Sequence, residues 1–371
     1  MNKKISILFI FLFSTLMGHE MTLSEKVGQL LMVHFRGEEA GLDAQTLIQE
    51  VHVGGIIYYN WANGLHSPSQ VQKLSASLQQ LASIPLLIAV DQEGGRVNRL
   101  QNGFTIFPSN QEIAMTGDPS LAESNAFITG KELLSVGVNM NLAPVVDINS
   151  NPQNPVIGSR SFGETPFIVI SFAKRALLGY HKAGIITSLK HFPGHGDVGK
   201  DSHHELPILK KSKEELLKTE LRPFKELASQ ADTIMTAHLL VPALDEKNCT
   251  TLSKSSLDIL RNEMHFQGVI ISDSLVMEAL LQNSLSIEEA AIDAINAGCD
   301  LLILGGKQLI GTHADLELKV SDVQKIHQAL LQAVQSGRLS EERLNDALNR
   351  VLQLKTRFKL SSRSVNPSYS P

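Results

Sequence analysis

Eight short apolar runs recur along this chain, and most are separated by enough residues for a helix. They lie at 31–35, 54–59, 85–90, 136–142, 185–189, 233–237, 268–272 and 300–304. Runs that are apolar throughout suit strands buried on both faces, as in parallel sheets. Helix-like patterning fills 68–82, 119–135, 166–183, 213–230, 255–265 and 286–297, and continues at 321–336 and 340–358. Eight strands alternating with helices predict an α/β fold, a single (β/α)8 barrel of the TIM type. A doubly wound nucleotide-binding sheet is the competing architecture. It would carry a Gly-x-Gly-x-x-Gly fingerprint after the first strand, and none stands there.

Composition narrows the function classes. At 371 residues and 43% hydrophobic, the chain can bury a sizeable core. A net charge of −5 with no basic stripe argues against a nucleic-acid partner. Cys249 and Cys299 are far apart, form no metal pattern and read as two ordinary thiols. Residues 1–20 differ in kind: Lys3 and Lys4 precede an apolar run over 5–17. That is the pattern of a signal peptide or N-terminal anchor, too short for a comfortable membrane span. It predicts export to the periplasm or cell envelope. Translation from Met21 would instead give a cytoplasmic chain opening on a helix through Val27 and Leu30, with Ser24 as its cap. The barrel is then expected over 21–360, and a Ser/Pro-rich disordered tail over 361–371.

The chemistry concentrates in one glycine-punctuated loop, from Lys190-His191-Phe192-Pro193-Gly194-His195-Gly196-Asp197 to Asp201-Ser202-His203-His204-Glu205. With 13 histidines in the chain, a window this size would hold roughly half of one by chance; this one holds four. Gly194 and Gly196 let the loop double back and aim side chains inward. A barrel's reaction site forms at the C-terminal ends of its strands. Polar residues fall at those ends in turn: Asp91, Asp147, Lys190 with His191, His238 and Asp273. A single one of them could merely cap a loop; five on one rim point to a site.

These blocks resemble the glycoside hydrolase family 3 β-N-acetylglucosaminidases of the muropeptide-recycling type. The loop carries that family's signature. So do Asp91-Gln92-Glu93-Gly94-Gly95-Arg96-Val97, Asn141-Leu142-Ala143-Pro144-Val145-Val146-Asp147, Gly158-Ser159-Arg160-Ser161-Phe162-Gly163 and Ser272-Asp273-Ser274-Leu275-Val276-Met277-Glu278, in the family's order. The resemblance runs from about Leu23 to about Phe358. It departs at Val198, where the family often has Thr, and at Ser274, where it often has a second Asp.

The resemblance implies an exo-acting β-N-acetylglucosaminidase that trims peptidoglycan fragments with retention of configuration. It makes Asp273 the nucleophile, and His203 the general acid and then base, oriented by Asp201. Independently, Asp273 ends an apolar run and would stand braced at the rim, as a retaining glycosidase needs. The bland alternative is a cap for a helix starting near Leu275. A histidine with a carboxylate partner suits proton transfer near neutral pH; Glu93 and Glu205 are the plainer candidates for an acid. Asp91, Arg160, Lys190 and His191 match the family's sugar contacts, and Arg160 and Lys190 could equally form a salt-bridge lattice with Asp91, Glu93 or Asp147. His195 and Asp197 are expected to shape the loop and Met277 to pack beneath the site. No cofactor and no stable protein partner is implied, and a free-standing barrel suggests a monomer. The rivals are a β-N-acetylglucosaminide phosphorylase or β-glucosidase on the same fold, a metal-dependent barrel hydrolase using His191, His195, His203, Asp197, Asp201 and Asp273, and a sugar-binding module without activity.

Overall fold

The computed structural model describes residues 20–199, 206–281, 286–307 and 317–361. The expected export segment before Glu20 and the expected tail after Ser361 lie outside the described residues. Eight parallel strands form one sheet: β1 Leu31–Val33, β2 Gly55–Ile57, β3 Leu87–Val90, β4 Met140–Asn141, β5 Ile186–Phe192, β6 Thr233–Thr236, β7 Val269–Ile271 and β8 Leu302–Leu304. Their order is β8-β1-β2-β3-β4-β5-β6-β7. The ring closes where Ile271 bridges Leu301 and the Ser272 N–H donates to the Leu301 carbonyl at 2.9 Å. Every strand residue is buried, as barrel interior on one face and helix contact on the other require. The barrel expected from the sequence is the barrel observed.

Local signals explain where most helices start. In α1 (Leu23–Gly28), α2 (Leu42–Gln49), α3 (Pro68–Leu81), α4 (Pro119–Ser135) and α5 (Pro166–Ala183), only α2 lacks a side-chain cap. Ser67, Asp118 and Thr165 cap α3, α4 and α5, each followed by a proline whose missing N–H costs nothing in a first turn. At α1 the cap is Thr22, not Ser24. Thr22 and Glu25 satisfy each other in a capping box, which Ser24 has no acidic partner to form.

The helix expected over 213–230 is broken. Lys213–Lys218 ends under a Ser212 capping box, Leu221–Leu227 follows, and a 3-10 turn over Ala228–Gln230 completes the segment. Pro223 has no N–H to donate four residues back to Thr219, so the helix must break there. The segment expected over 255–265 starts as α-helix over Lys254–Asp258 and widens into a π turn over Ile259–Glu263. The last helices are α6 (Ile287–Ala297), α7 (Val320–Gln335) and α8 (Glu341–Arg357). Cys249 and Cys299 are both buried free thiols.

The N-terminal end of the barrel is tied by two buried carboxylates. Asp232, just before β6, accepts from the Thr187 N–H and hydroxyl at 3.0 and 2.8 Å and pairs with His181 and Arg357. Asp300, just before β8, accepts from the Ile270 N–H at 2.9 Å, from Arg261 at 2.5 Å and from Arg343 at 2.9 Å. Truncating Asp300 removes the shared carboxylate of two part-buried guanidinium groups. Asp300→Ala is therefore expected to lower the unfolding free energy by about 3 kcal/mol, read as a lower urea midpoint at unchanged slope. A loss below about 0.5 kcal/mol would show that this tie contributes nothing.

Candidate active site

Three strands meet at one charged point. Asp91 leaves the end of β3, and Glu93 sits in a small hairpin pairing Gln92–Gly94 with Val97–Asn98. Asn141 of β4 clamps that hairpin, accepting from the Gln92 N–H at 3.0 Å and donating to the Gln92 carbonyl at 2.9 Å. Lys190 and His191, expected just past the fifth strand, are inside it. β5 runs on to Phe192 because the chain at Val145 bridges Lys190 and the Val146 N–H donates to the Lys190 carbonyl at 2.8 Å. Both side chains are thus held by ladder geometry rather than by a loop.

The lattice is dense. Lys190 Nζ lies 2.7 Å from Asp91 Oδ1 and 2.6 Å from Glu93 Oε1. Arg160 grips Glu93 with two bonds of 2.8 Å. His191 Nδ1 lies 2.6 Å from Asp147 Oδ2, while Asp147 Oδ1 accepts from the backbone N–H of His191 at 3.1 Å and of His195 at 2.7 Å. Arg160 Nη2 lies 3.3 Å from His191 Nε2. A guanidinium only donates, so the imidazole proton is assigned to Nδ1, facing Asp147.

Burial alone would raise these carboxyls, but neighbouring cations override it. Lys190 and Arg99 hold Asp91 below its ordinary value, and Arg160 and Lys190 hold Glu93 far below. Burial likewise opposes charge on Arg160 and Lys190, yet their acidic partners raise both. Burial and then the His191 contact act on Asp147, which ends below the usual range. His195 has the opposite outcome: burial dominates and pushes it down to about 4.

A cavity of about 320 Å³ opens over this lattice, and Asp91, Glu93, Arg160, Lys190, His191 and Asp273 all line it. Met277 lines it as well. The helix after Asp273 begins only at Glu278, so Asp273 is not its cap. Its carboxylate accepts the Ser274 N–H at 2.7 Å. The other two rim residues are supports. Asp147 stands behind His191, and His238 turns away, with Nε2 at 2.8 Å from the Ser274 carbonyl oxygen and Nδ1 at 2.8 Å from the Thr251 hydroxyl. Asp201, His203 and Glu205 lie outside the described residues. Glu93 is no acid candidate here, since its two cations keep it ionised.

The loop glycines have distinct reasons. Gly194 has φ +129°, and a side chain on Gly196 would come within 1.7 Å of the Ile148 carbonyl oxygen. Asp197 shapes the loop through Lys211 at 2.9 Å and Ser150 at 3.0 Å, as expected, whereas His195 also lines the cavity. Sequence reasoning missed Arg99, Tyr59 and Trp61, all on the cavity. Arg99 stands directly after the Gln92–Asn98 hairpin, and Trp61 is the one tryptophan of the chain. Among the described residues, no three His, Cys, Asp or Glu side chains converge to hold a metal ion.

A closed parallel barrel with a charged cavity at the C-terminal ends of its strands is the layout of the TIM-barrel class. Within that class the chain belongs to glycosyl hydrolase family 3: residues 22–354 match the family's N-terminal domain. It is 34% identical over 385 residues to β-hexosaminidase A of Pseudoalteromonas piscicida, covering 93% of this chain and 63% of that protein. It is 38% identical over 259 residues to a β-hexosaminidase of Nitrosomonas eutropha, covering 68% of this chain and 73% of that one. A solved family 3 β-N-acetylglucosaminidase from a Paenibacillus strain superposes with a TM-score of 0.87 at 44% identity, covering 94% of this chain and 65% of that one. The chain therefore spans somewhat less than two thirds of the Pseudoalteromonas and Paenibacillus proteins.

The depressed His195 makes stability depend on pH. Between pH 6.5 and about 4 the unfolded chain binds a proton that the folded chain refuses, so stability falls as pH falls through that window. From pH 6.5 to 4.5 this single group is expected to cost the wild type about 2 kcal/mol more than it costs His195→Gln, measured by urea unfolding at both pH values. Parallel losses in the two proteins would refute it.

Proposed function

We propose that this chain is an exo-acting β-N-acetylglucosaminidase working with net retention. The observation that carries the reading is the placing of Asp273 on the same cavity as the Asp91–Lys190–Glu93–Arg160 lattice. Asp91, Arg160, Lys190 and His191 bind the hydroxyls and acetamido oxygen of one terminal sugar, and their mutual pairing fixes each donor and acceptor in advance. The apolar side chains of Met235, Val276 and Met277 on the same cavity suit the acetamido methyl. A volume near the low end for small-molecule sites suits one sugar residue rather than a threaded chain.

Asp273 attacks the anomeric carbon and forms the glycosyl-enzyme intermediate. The leaving oxygen needs a proton, and the cavity's other carboxylates, Asp91 and Glu93, are held ionised by their cations. We assign that proton to His203, oriented by Asp201, as the family resemblance implies; the same histidine then activates the incoming water. The substrate is the non-reducing N-acetylglucosamine of peptidoglycan fragments. The positive, apolar N-terminal stretch would deliver the enzyme to the envelope, where such fragments arise.

Purified protein is expected to release 4-nitrophenol from its β-N-acetylglucosaminide in preference to the β-glucoside, with EDTA present and without need of phosphate. Asp273→Asn should lower kcat by at least about a thousandfold. His203→Ala should lose much more on a natural disaccharide than on the aryl glycoside, whose leaving group needs little protonation. Turnover only with phosphate would make the chain a phosphorylase, loss with EDTA would move it to the metal-dependent class, and near-normal Asp273→Asn turnover would remove the nucleophile.

A further inference from the structure

The chain's only tryptophan stands at the cavity. Trp61 follows β2 and remains 40% exposed, whereas its neighbour Tyr59 is 8% exposed. Three groups hold the indole. Tyr59 stacks against it at 5.3 Å between ring centroids and 26° between planes, His34 meets it edge-on at 5.3 Å, and the Arg36 guanidinium sits 5.5 Å from its centre. Arg36 is itself fixed by two bonds to Glu317, of 2.8 and 2.6 Å. A large aromatic surface is therefore kept partly wet yet braced by its neighbours. Such an arrangement gains nothing for folding that a buried indole would not gain better.

Its position gives it a use. The charged groups Lys190, Glu93 and Arg160 are the dry end of the cavity, each side chain at most 13% exposed, and Trp61 marks the wet end. When the cavity takes one sugar residue, whatever that sugar is attached to must leave through the wet end. The C–H face of a pyranose complements the electron-rich surface of an indole. We propose that Trp61 binds the sugar ring on the leaving-group side of the scissile bond and so makes the site selective for carbohydrate aglycones over small alkyl ones. This rests on the N-acetylglucosaminidase reading above. Tyr59 is the base of the platform, and the Arg36–Glu317 pair sets its angle.

Because Trp61 is the sole indole, tryptophan emission reports on this position alone. In the Asp273→Asn protein, N,N′-diacetylchitobiose is expected to shift or quench that emission, and methyl β-N-acetylglucosaminide to change it far less. In the otherwise wild-type chain, Trp61→Ala should lower the ratio of kcat/KM for the disaccharide to that for the methyl glycoside roughly fivefold or more, mainly through KM, and Trp61→Phe should restore most of it. Equal emission changes with both sugars, or an unaltered selectivity ratio in Trp61→Ala, would overturn the proposal. A response to the disaccharide in a wild-type protein that hydrolyses neither sugar would instead remove the hydrolase reading and leave the sugar platform standing.

Discussion

A lysine ammonium buried between two carboxylates is the interaction on which this barrel mouth depends. Moving the Lys190 charge out of water costs several kcal/mol, and one partner would not offset it. Here Asp91 and Glu93 both lie within 2.7 Å of it, and Arg160 neutralises the excess on Glu93. Asp91 comes from the end of β3, Glu93 from the hairpin that β4 clamps, and Lys190 from inside β5. A slip of β5 by one residue would turn Lys190 toward the helix layer and leave two acids facing an arginine. The lattice thus specifies strand register as much as it prepares a site, and the apolar strands, interchangeable in their hydrophobicity, could not specify it alone.

The same pairing sets what the cavity can do chemically. Groups that consume each other's charge have fixed geometry and fixed ionisation, which suits the positioning of hydroxyls and an amide. They are poor proton donors for the same reason. Asp147 extends the logic one layer back: by accepting from the ring and backbone of His191 and from the backbone of His195, it orients two imidazoles without lining the cavity itself.

The architecture was legible because burial on both faces leaves an uninterrupted apolar run in each strand, which survives as a pattern even when the strand is short. Helix starts were legible where a capping side chain precedes a proline, as at Ser67, Asp118 and Thr165. What stayed hidden depends on partners distant in the chain. β5 continues through Lys190 and His191 because β4's extension pairs with them, although two ionisable residues read as the end of a strand. α2 begins at Leu42 behind Gly41, which offers no side-chain cap, and so announces itself weakly. Glu93 looked like a candidate acid because its identity is visible in the sequence, but the two cations that hold its charge come from residues 67 and 97 positions away. His238 sat at a strand end like the others, and only the Ser274 carbonyl shows that it braces the next strand's loop.

Both ends of the barrel carry aspartates at strand termini, and their contrast separates stability from the proposed chemistry. At the N-terminal end, Asp232 and Asp300 are saturated by backbone N–H groups and by arginines from α8 and the π turn. Nothing there is left to offer a ligand. At the C-terminal end, Asp273 makes no ion pair among the described residues and takes one hydrogen bond, from the adjacent Ser274 N–H. Asp273 lines the cavity, and Lys190 and Arg160 on the same cavity are already committed to Asp91 and Glu93. This carboxylate lines the cavity with no cation paired to it among the described residues. It is the form of charge that the positive centre of a glycosyl transfer would meet, and in the proposed reaction that centre develops only after the sugar has displaced water from the cavity.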